Sequence, residues 1–162
     1  MADTIESRAT ADLVDEYGEA LTSIPVQLRS FGRHPRFAGP AVTVKCFEDN
    51  ALLKQTLAEH PDPQGRVLVV DGGGSLRTAL VGDLIAAIAV EHGWAGIIVH
   101  GCIRDSVAID GLEIGIKALG TNPRKSSKTG AGTVDVPVEI GGVVIAPGQV
   151  VHSDEDGVVV LP

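Results

Sequence analysis

A chain of 162 residues that is 44% hydrophobic has the size of one ordinary domain and enough apolar content for a real core, so 1–162 reads as a single domain. Its formal net charge of −8 argues against direct binding of nucleic acid, which normally needs a basic face. With 20 glycines and only 3% aromatic residues, the core must be aliphatic and the turns tight.

In chain order, Thr10 to Tyr17 opens on a capping residue and carries apolar residues at helical spacing, which predicts a short helix ending at Gly18. Ala41 to Cys46 alternates as a strand, Asn50 to His60 reads as a helix, and Pro61-Asp62-Pro63 is a turn. Val67-Leu68-Val69-Val70 is a continuous apolar run of the kind found in strands buried on both faces. Gly82-Asp83-Leu84-Ile85 reads as the mouth of another helix, capped by Asp83 and running to a stop at His92-Gly93. Gly96 to Val99 is a strand, and Gly101 to Asp105 is a turn just beyond its carboxyl end, completing a central parallel βαβ unit. A short helix from Ser106, a strand over Ile116 to Leu119 and a mobile loop from Asn122 to Gly132 follow, the loop carrying Arg124, Lys125 and Lys128. From Val134, short strands separated by Gly141-Gly142, Pro147-Gly148 and Asp154 to Gly157 predict a β-meander or partial barrel. Periodicity alone gives mixed α/β.

The chemistry-bearing residues sit at the two ends of the βαβ unit, where open α/β sheets bind ligands: Asp83, then twenty residues, then Arg104-Asp105. Arg104 is a fixed cation with a planar fork of donors suited to a carboxylate or a keto oxygen. Asp105 is a hard oxygen ligand, and a magnesium-like ion commonly takes only one or two protein carboxylates. The free N–H groups after Gly82, from Asp83 through Leu84 and Ile85, favour an anionic oxygen. These parts suit a 2-oxo acid chelated by a divalent metal acting as a Lewis acid.

Other patterns carry less. Asp71-Gly72-Gly73-Gly74 follows a buried strand, but Arg77 stands where a dinucleotide fingerprint needs its third glycine, and no Gly-Lys-Ser/Thr follows for a P-loop. An S-adenosylmethionine site on the same glycines conflicts with the short chain and its turn-rich second half. His34, His60, His92, His100 and His152 show no zinc spacing, and His100 reads as a hydrogen-bonded strand-end residue. Asp154 to Gly157 reads as a hairpin turn rather than a metal loop. Neither Cys46 nor Cys102 has a neighbouring base for nucleophilic work, and Lys117 is the lone candidate for a buried Schiff-base lysine.

Gly82-Asp83, the twenty-residue spacing and Arg104-Asp105 resemble the signature of the RraA-like family, which includes metal-dependent 4-hydroxy-4-methyl-2-oxoglutarate aldolases and regulators of ribonuclease E activity. The resemblance extends to Phe37 through Val44, to Asp71-Gly72-Gly73 and to His152 through Val160, so most of the chain is covered. It implies a β/β/α swivelling-type fold, assembly as a homotrimer or a dimer of trimers with sites between subunits, and a Mg2+ or Mn2+ ion. It further implies that Gly82, Asp83, Leu84 and Ile85 bind the pyruvoyl carboxylate, Arg104 binds substrate oxygens, Asp105 holds the metal and Asp83 organises a catalytic water. The implied activity is retro-aldol release of pyruvate from 4-hydroxy-2-oxo diacids, with oxaloacetate decarboxylation through the same enolate; the competing implication is a non-catalytic partner of a ribonuclease. Several family aldolases continue into a C-terminal helix that lends an acid to the neighbouring subunit, whereas this sequence stops at Leu161-Pro162.

Two cysteines without a CxxC pattern, an acidic start over Met1 to Glu6 and no membrane-length apolar run lead to the expectation of a cytoplasmic protein.

Overall fold

The computed structural model describes residues 4–162, so Met1, Ala2 and Asp3 of the acidic start lie outside the described residues. Four α-helices, α1 (Thr10–Tyr17), α2 (Ala51–Glu59), α3 (Asp83–Glu91) and α4 (Ser106–Asp110), are set among twelve strands. The strands are β1 (Thr22–Ser23), β2 (Arg29–Phe31), β3 (Phe37–Lys45), β4 (Val67–Asp71), β5 (Ala79–Val81), β6 (Gly96–Ile103), β7 (Gly115–Thr121), β8 (Thr133–Val134), β9 (Val138–Ile140), β10 (Val143–Ile145), β11 (Val150–Asp154) and β12 (Gly157–Val160). Ten of them form one sheet in the order β1-β12-β11-β3-β4-β6-β7-β2, with β5 beside β6 and β8 beside β3.

The centre of that sheet, β3-β4-β6-β7, is parallel, as the uninterrupted apolar runs required. Alternation along those strands divides the core in two. Val42, Val44, Leu68, Val70, Ile97 and Val99 pack beneath Leu53 and Leu57 of α2, Ala86 and Ala89 of α3 and Ile109 of α4. Ala41, Val67, Val69 and Ile98 face the other way, against Val138, Ile140 and Ile145 of the β9–β10 hairpin and Val151, Val158 and Val160 of β11 and β12. Hairpin, sheet and helices make three layers, the β/β/α arrangement expected from the resemblance.

Three expectations change, and three short strands are additions to them. Strand β6 runs on to Ile103 with an irregularity in its pairing after Val99, so the turn expected from Gly101 is confined to Arg104-Asp105. Strands β1, β2 and β5 are two or three residues long, too short to leave a period in the sequence. The C-terminal region is two separate hairpins rather than a meander: β9 pairs only with β10, while β11 joins β3 and β12. Thr10 does not cap α1; Ala9 holds that position. Instead, the Thr10 amide and hydroxyl both donate to the buried Asp154 carboxylate, at 2.7 Å each, so an acid from β11 satisfies the helix end.

Candidate functional site

Position in the sheet gathers the candidate residues. Strands β5 and β6 are parallel neighbours with Val81 opposite Ile103, so the residues that follow, Gly82 and Arg104, emerge side by side at the carboxyl edge. The Arg104 amide donates to the Val81 carbonyl at 2.9 Å and locks the two strand ends together. Helix α3 then starts at Asp83 with Gly82 as its cap residue, and α4 starts after Asp105. Asp83 is therefore the first helical residue rather than the cap: its Oδ1 accepts the Leu84 amide at 2.9 Å.

Asp105 occupies the left-handed region, φ 57° and ψ 41°, which is uncommon for a residue with a side chain. This turn carries its carboxylate back over the mouth of α3, where Oδ2 lies 3.4 Å from the Asp83 amide and 3.8 Å from Arg104 Nε. Both contacts are long, and the side chain remains 42% exposed, so its oxygens keep capacity for a further partner. Gly82 eases the same approach, because a Cβ there would stand 3.1 Å from Asp105 Oδ2. Arg104 is held loosely on its far side by the Pro123 carbonyl, 3.5 Å from Nη1.

Gly82, Asp83, Leu84, Ile85, Arg104 and Asp105 all line one cleft of about 100 Å3. The facing wall contains residues that the sequence reading did not place there: Asn50, Lys54, Lys125 and Lys128. Asn50 precedes α2 and is buried, its Nδ2 donating to the Leu80 carbonyl at 3.1 Å and its Oδ1 accepting from Lys128 Nζ at 3.3 Å. The 122–132 segment, expected to be mobile, is instead tied along its length. The Ala79 amide donates to the Arg124 carbonyl at 2.8 Å, and the Ser126 hydroxyl donates to the Ala79 carbonyl at 2.8 Å. Asp49 receives the Thr129 amide and hydroxyl and the Gly130 amide. Burial opposes ionisation of Asp49, but these bonds outweigh it and hold its carboxyl below the usual range. The repeated Ser, Thr and Asn of the segment are the donors and acceptors of this tethering, a signal visible in the sequence that loop composition alone concealed.

The donor set suits a hard, hydrated cation. Asp105 could supply one carboxylate oxygen and leave the other positions to water and ligand, as magnesium-like ions prefer. Among the described residues no group of three or more His, Cys, Asp or Glu gathers as a zinc-type site would require.

The remaining candidates lie elsewhere. Asp71 Oδ1 accepts the Gly73 amide at 2.9 Å, and Gly73 and Gly74 take positive φ, so this run is a tight exit from β4. It leads into β5 rather than a helix N-terminus, so the phosphate-binding geometry of a dinucleotide loop is absent here. His100 lies within β6 rather than at its end and outside the cleft lining, and its buried Nδ1 has no partner among the described residues, contrary to the expected hydrogen bond. Lys117 is buried in β7, also outside the cleft lining. Burial pushes the Cys46 thiol up to about 12 and raises Cys102 as well, which keeps both as unreactive thiols at neutral pH.

A three-layer single domain with a cleft of charged side chains at the carboxyl ends of parallel strands is the class that fold and site define. The sequence profile of the RraA-like family, described as Aldolase/RraA, matches residues 10–160, and the chain belongs to that family. It is similar to a protein from Geobacillus kaustophilus described as an S-adenosylmethionine:2-dimethylmenaquinone methyltransferase, with 49% identity, TM-score 0.92, and 95% of this chain and 94% of that one covered. It is also similar to the RNA-processing inhibitor RraA from Thermus thermophilis, with 48% identity, TM-score 0.91, and coverage of 98% and 94%. An unusual member of the RNase ES inhibitor RraA family from Streptomyces coelicolor is 32% identical, with TM-score 0.77 and coverage of 98% and 81%. No helix among the described residues is long and apolar enough to cross a membrane.

Proposed function

We propose that the chain is a divalent-metal-dependent lyase that releases pyruvate from 4-hydroxy-4-methyl-2-oxoglutarate-type 2-oxo acids and decarboxylates oxaloacetate. The observation that carries this reading is the convergence of the α3 mouth, Arg104 and Asp105 on one cleft, with Gly82 leaving room for the Asp105 carboxylate. Asp105 would hold the cation, Mg2+ or Mn2+, which when bound supplies Lewis-acid polarisation of the keto oxygen.

The residues of the chain account for the rest. The Ile85 amide, which has no partner among the described residues, receives the pyruvoyl carboxylate together with the Asp83 amide, whose bond to Asp105 is long at 3.4 Å, because free N–H groups and the helix dipole act together there. The Arg104 guanidinium faces the keto oxygen, where negative charge grows as the carbon-carbon bond breaks, and a preorganised cation lowers that barrier without rearranging. In the retro-aldol direction the distal hydroxyl gives its proton to the water held by Asp83, its electrons form the new carbonyl, and the broken bond's pair becomes the enolate of pyruvate. A water held by Asp83 supplies the proton that converts the enolate to pyruvate. With oxaloacetate the same enolate forms by loss of carbon dioxide.

Pyruvate release from oxaloacetate, followed with and without a chelator above the metal-only background, tests the reading. Chelation, Arg104→Ala and Asp105→Ala should each remove the enzymic rate while circular dichroism stays unchanged. Turnover at the wild-type level in both purified variants would end the assignment.

A second role is favoured by the similarity to the RNA-processing inhibitor from Thermus thermophilis: binding of a ribonuclease by a chain whose net charge is −8. Inhibition of purified ribonuclease E by this protein, unaffected by Asp105→Ala, would establish it as separate from the lyase chemistry. Leu84 is 77% exposed and Val107 88% exposed beside the cleft, apolar surface that a homotrimer with sites between subunits would cover. Light scattering after size exclusion checks that assembly.

A further inference from the structure

Resting on the lyase reading, whose substrates are 2-oxo diacids, we propose that Lys54 and Lys125 are the specificity-determining residues of this cleft, a subsite that receives the second carboxylate. Charge balance is the first ground. The cleft is lined by four cations, Arg104, Lys54, Lys125 and Lys128, against two carboxylates, Asp83 and Asp105. Arg104 lies beside Asp105 at 3.8 Å, and Lys128 Nζ is held by Asn50 at 3.3 Å. The ammonium groups of Lys54 and Lys125 have no ion-pair or hydrogen-bond partner among the described residues, so the cleft carries surplus positive charge on these two groups. A cation on Asp105 enlarges the surplus; pyruvate brings a single negative charge and a diacid brings two.

Placement is the second ground. Lys54 stands one helical turn beyond Asn50, its amide donating to the Asn50 carbonyl at 3.1 Å. Lys125 pairs alongside Ala79 of β5. Both therefore belong to the α2 and 124–128 wall, away from the α3 mouth and Arg104-Asp105 where the pyruvoyl end binds. A ligand anchored by its 2-oxo acid group directs its other end toward this wall. The wall is preorganised, since the 122–132 segment is tied to Asp49, Leu76 and Ala79 before any ligand arrives. A cleft of about 100 Å3 matches the scale of a small diacid.

The test is isothermal titration of the magnesium-loaded protein with 2-oxoglutarate, an unreactive dicarboxylate, and with pyruvate. Wild type is compared with the Lys54→Ala/Lys125→Ala double variant and, should that fold poorly, with Lys54→Gln/Lys125→Gln. Losing two charge-assisted contacts should lower the 2-oxoglutarate to pyruvate affinity ratio by about tenfold or more. An unchanged ratio overturns the proposal, whether both affinities fall together or neither moves. Deuterium exchange at the pyruvate methyl group, measured separately on wild type, reports the enolate chemistry. Absence of exchange with a ratio that still falls sinks the lyase reading and keeps the subsite, whereas exchange with an unchanged ratio does the reverse.

Discussion

Replacing Gly82 by alanine perturbs the site with a single carbon atom. The added Cβ would lie 3.1 Å from Asp105 Oδ2 and 3.5 Å from both Cγ and Nε of Arg104. The backbone at Gly82, φ −115° and ψ −173°, is extended and open to alanine, so the change introduces no backbone strain. Gly82 caps α3 without a side-chain hydrogen bond, and the substitution should therefore shift global stability by no more than about 1 kcal/mol. The carboxylate, by contrast, must retreat by a few tenths of an ångström to restore ordinary contact. Displacements of about 1 Å near reacting groups cost on the order of a hundredfold, so this smaller one should cost about tenfold, or roughly 1.4 kcal/mol of transition-state stabilisation. The assay is kcat/KM for oxaloacetate decarboxylation, coupled to lactate dehydrogenase across a magnesium series, with Tm recorded in parallel. A lower kcat/KM and a higher magnesium requirement at nearly unchanged Tm are expected. Full activity with unchanged magnesium dependence would refute the assignment of the Asp105 carboxylate to the site.

Two further substitutions test the physical account of the fold. Asp154→Asn removes charge from the acceptor of the Thr10 amide and hydroxyl and should destabilise the protein by roughly 2 kcal/mol at pH 7, read by denaturant unfolding. Burial opposes the Asp154 charge, but the hydrogen bonds from Thr10, Asp156 and Gly157 prevail and hold its carboxyl below the usual range. The unfolded chain thus takes up the proton first as pH falls, so the contribution is complete above the ordinary carboxylate value of about 4 and disappears as pH drops toward the native one. A gap between wild type and Asp154→Asn that stays constant down to about pH 3 would contradict this. Lys117→Met removes an ammonium that is 2% exposed and whose pKa burial lowers, although Asp154, Glu155 and Asp156 oppose that shift. Since the folded state disfavours the charged form, Met should add about 1 kcal/mol at neutral pH, with the gain shrinking as pH rises from the lowered native value toward the ordinary lysine value of about 10.4 and gone above it, where the lysine is neutral in both states. Equal stability at all pH values would show that the lysine charge is well solvated in the fold.

The site was partly legible because its chemistry is local in sequence. Gly82-Asp83 marks a helix mouth by composition, and Arg104-Asp105 marks a strand exit by following an apolar run. The opposite wall was not legible. Nothing local sets Lys54 apart from an ordinary charge on α2, or Lys125 and Lys128 from loop charges, because no neighbouring residue states that Arg124 pairs with Ala79 or that Asp49 anchors Thr129. Strand β5 leaves three residues of pattern, yet its pairing with β6 is what sets Gly82 beside Arg104.

The sequence by itself determined the parallel centre of the sheet, helices α1 to α4 and the identity of the acid, cation and helix mouth, since periodicity, capping and turn chemistry act over a few neighbouring residues. Tertiary structure alone decided that Asp154 would seal α1, that the C-terminal strands would divide into a covering hairpin and a sheet extension, and that three lysines would line one cleft, two of them without side-chain partners among the described residues. Those outcomes depend on contacts between residues far apart along the chain, such as Asn50 with Lys128 and Thr10 with Asp154, whose free energy exists only once both partners are brought together and removed from water.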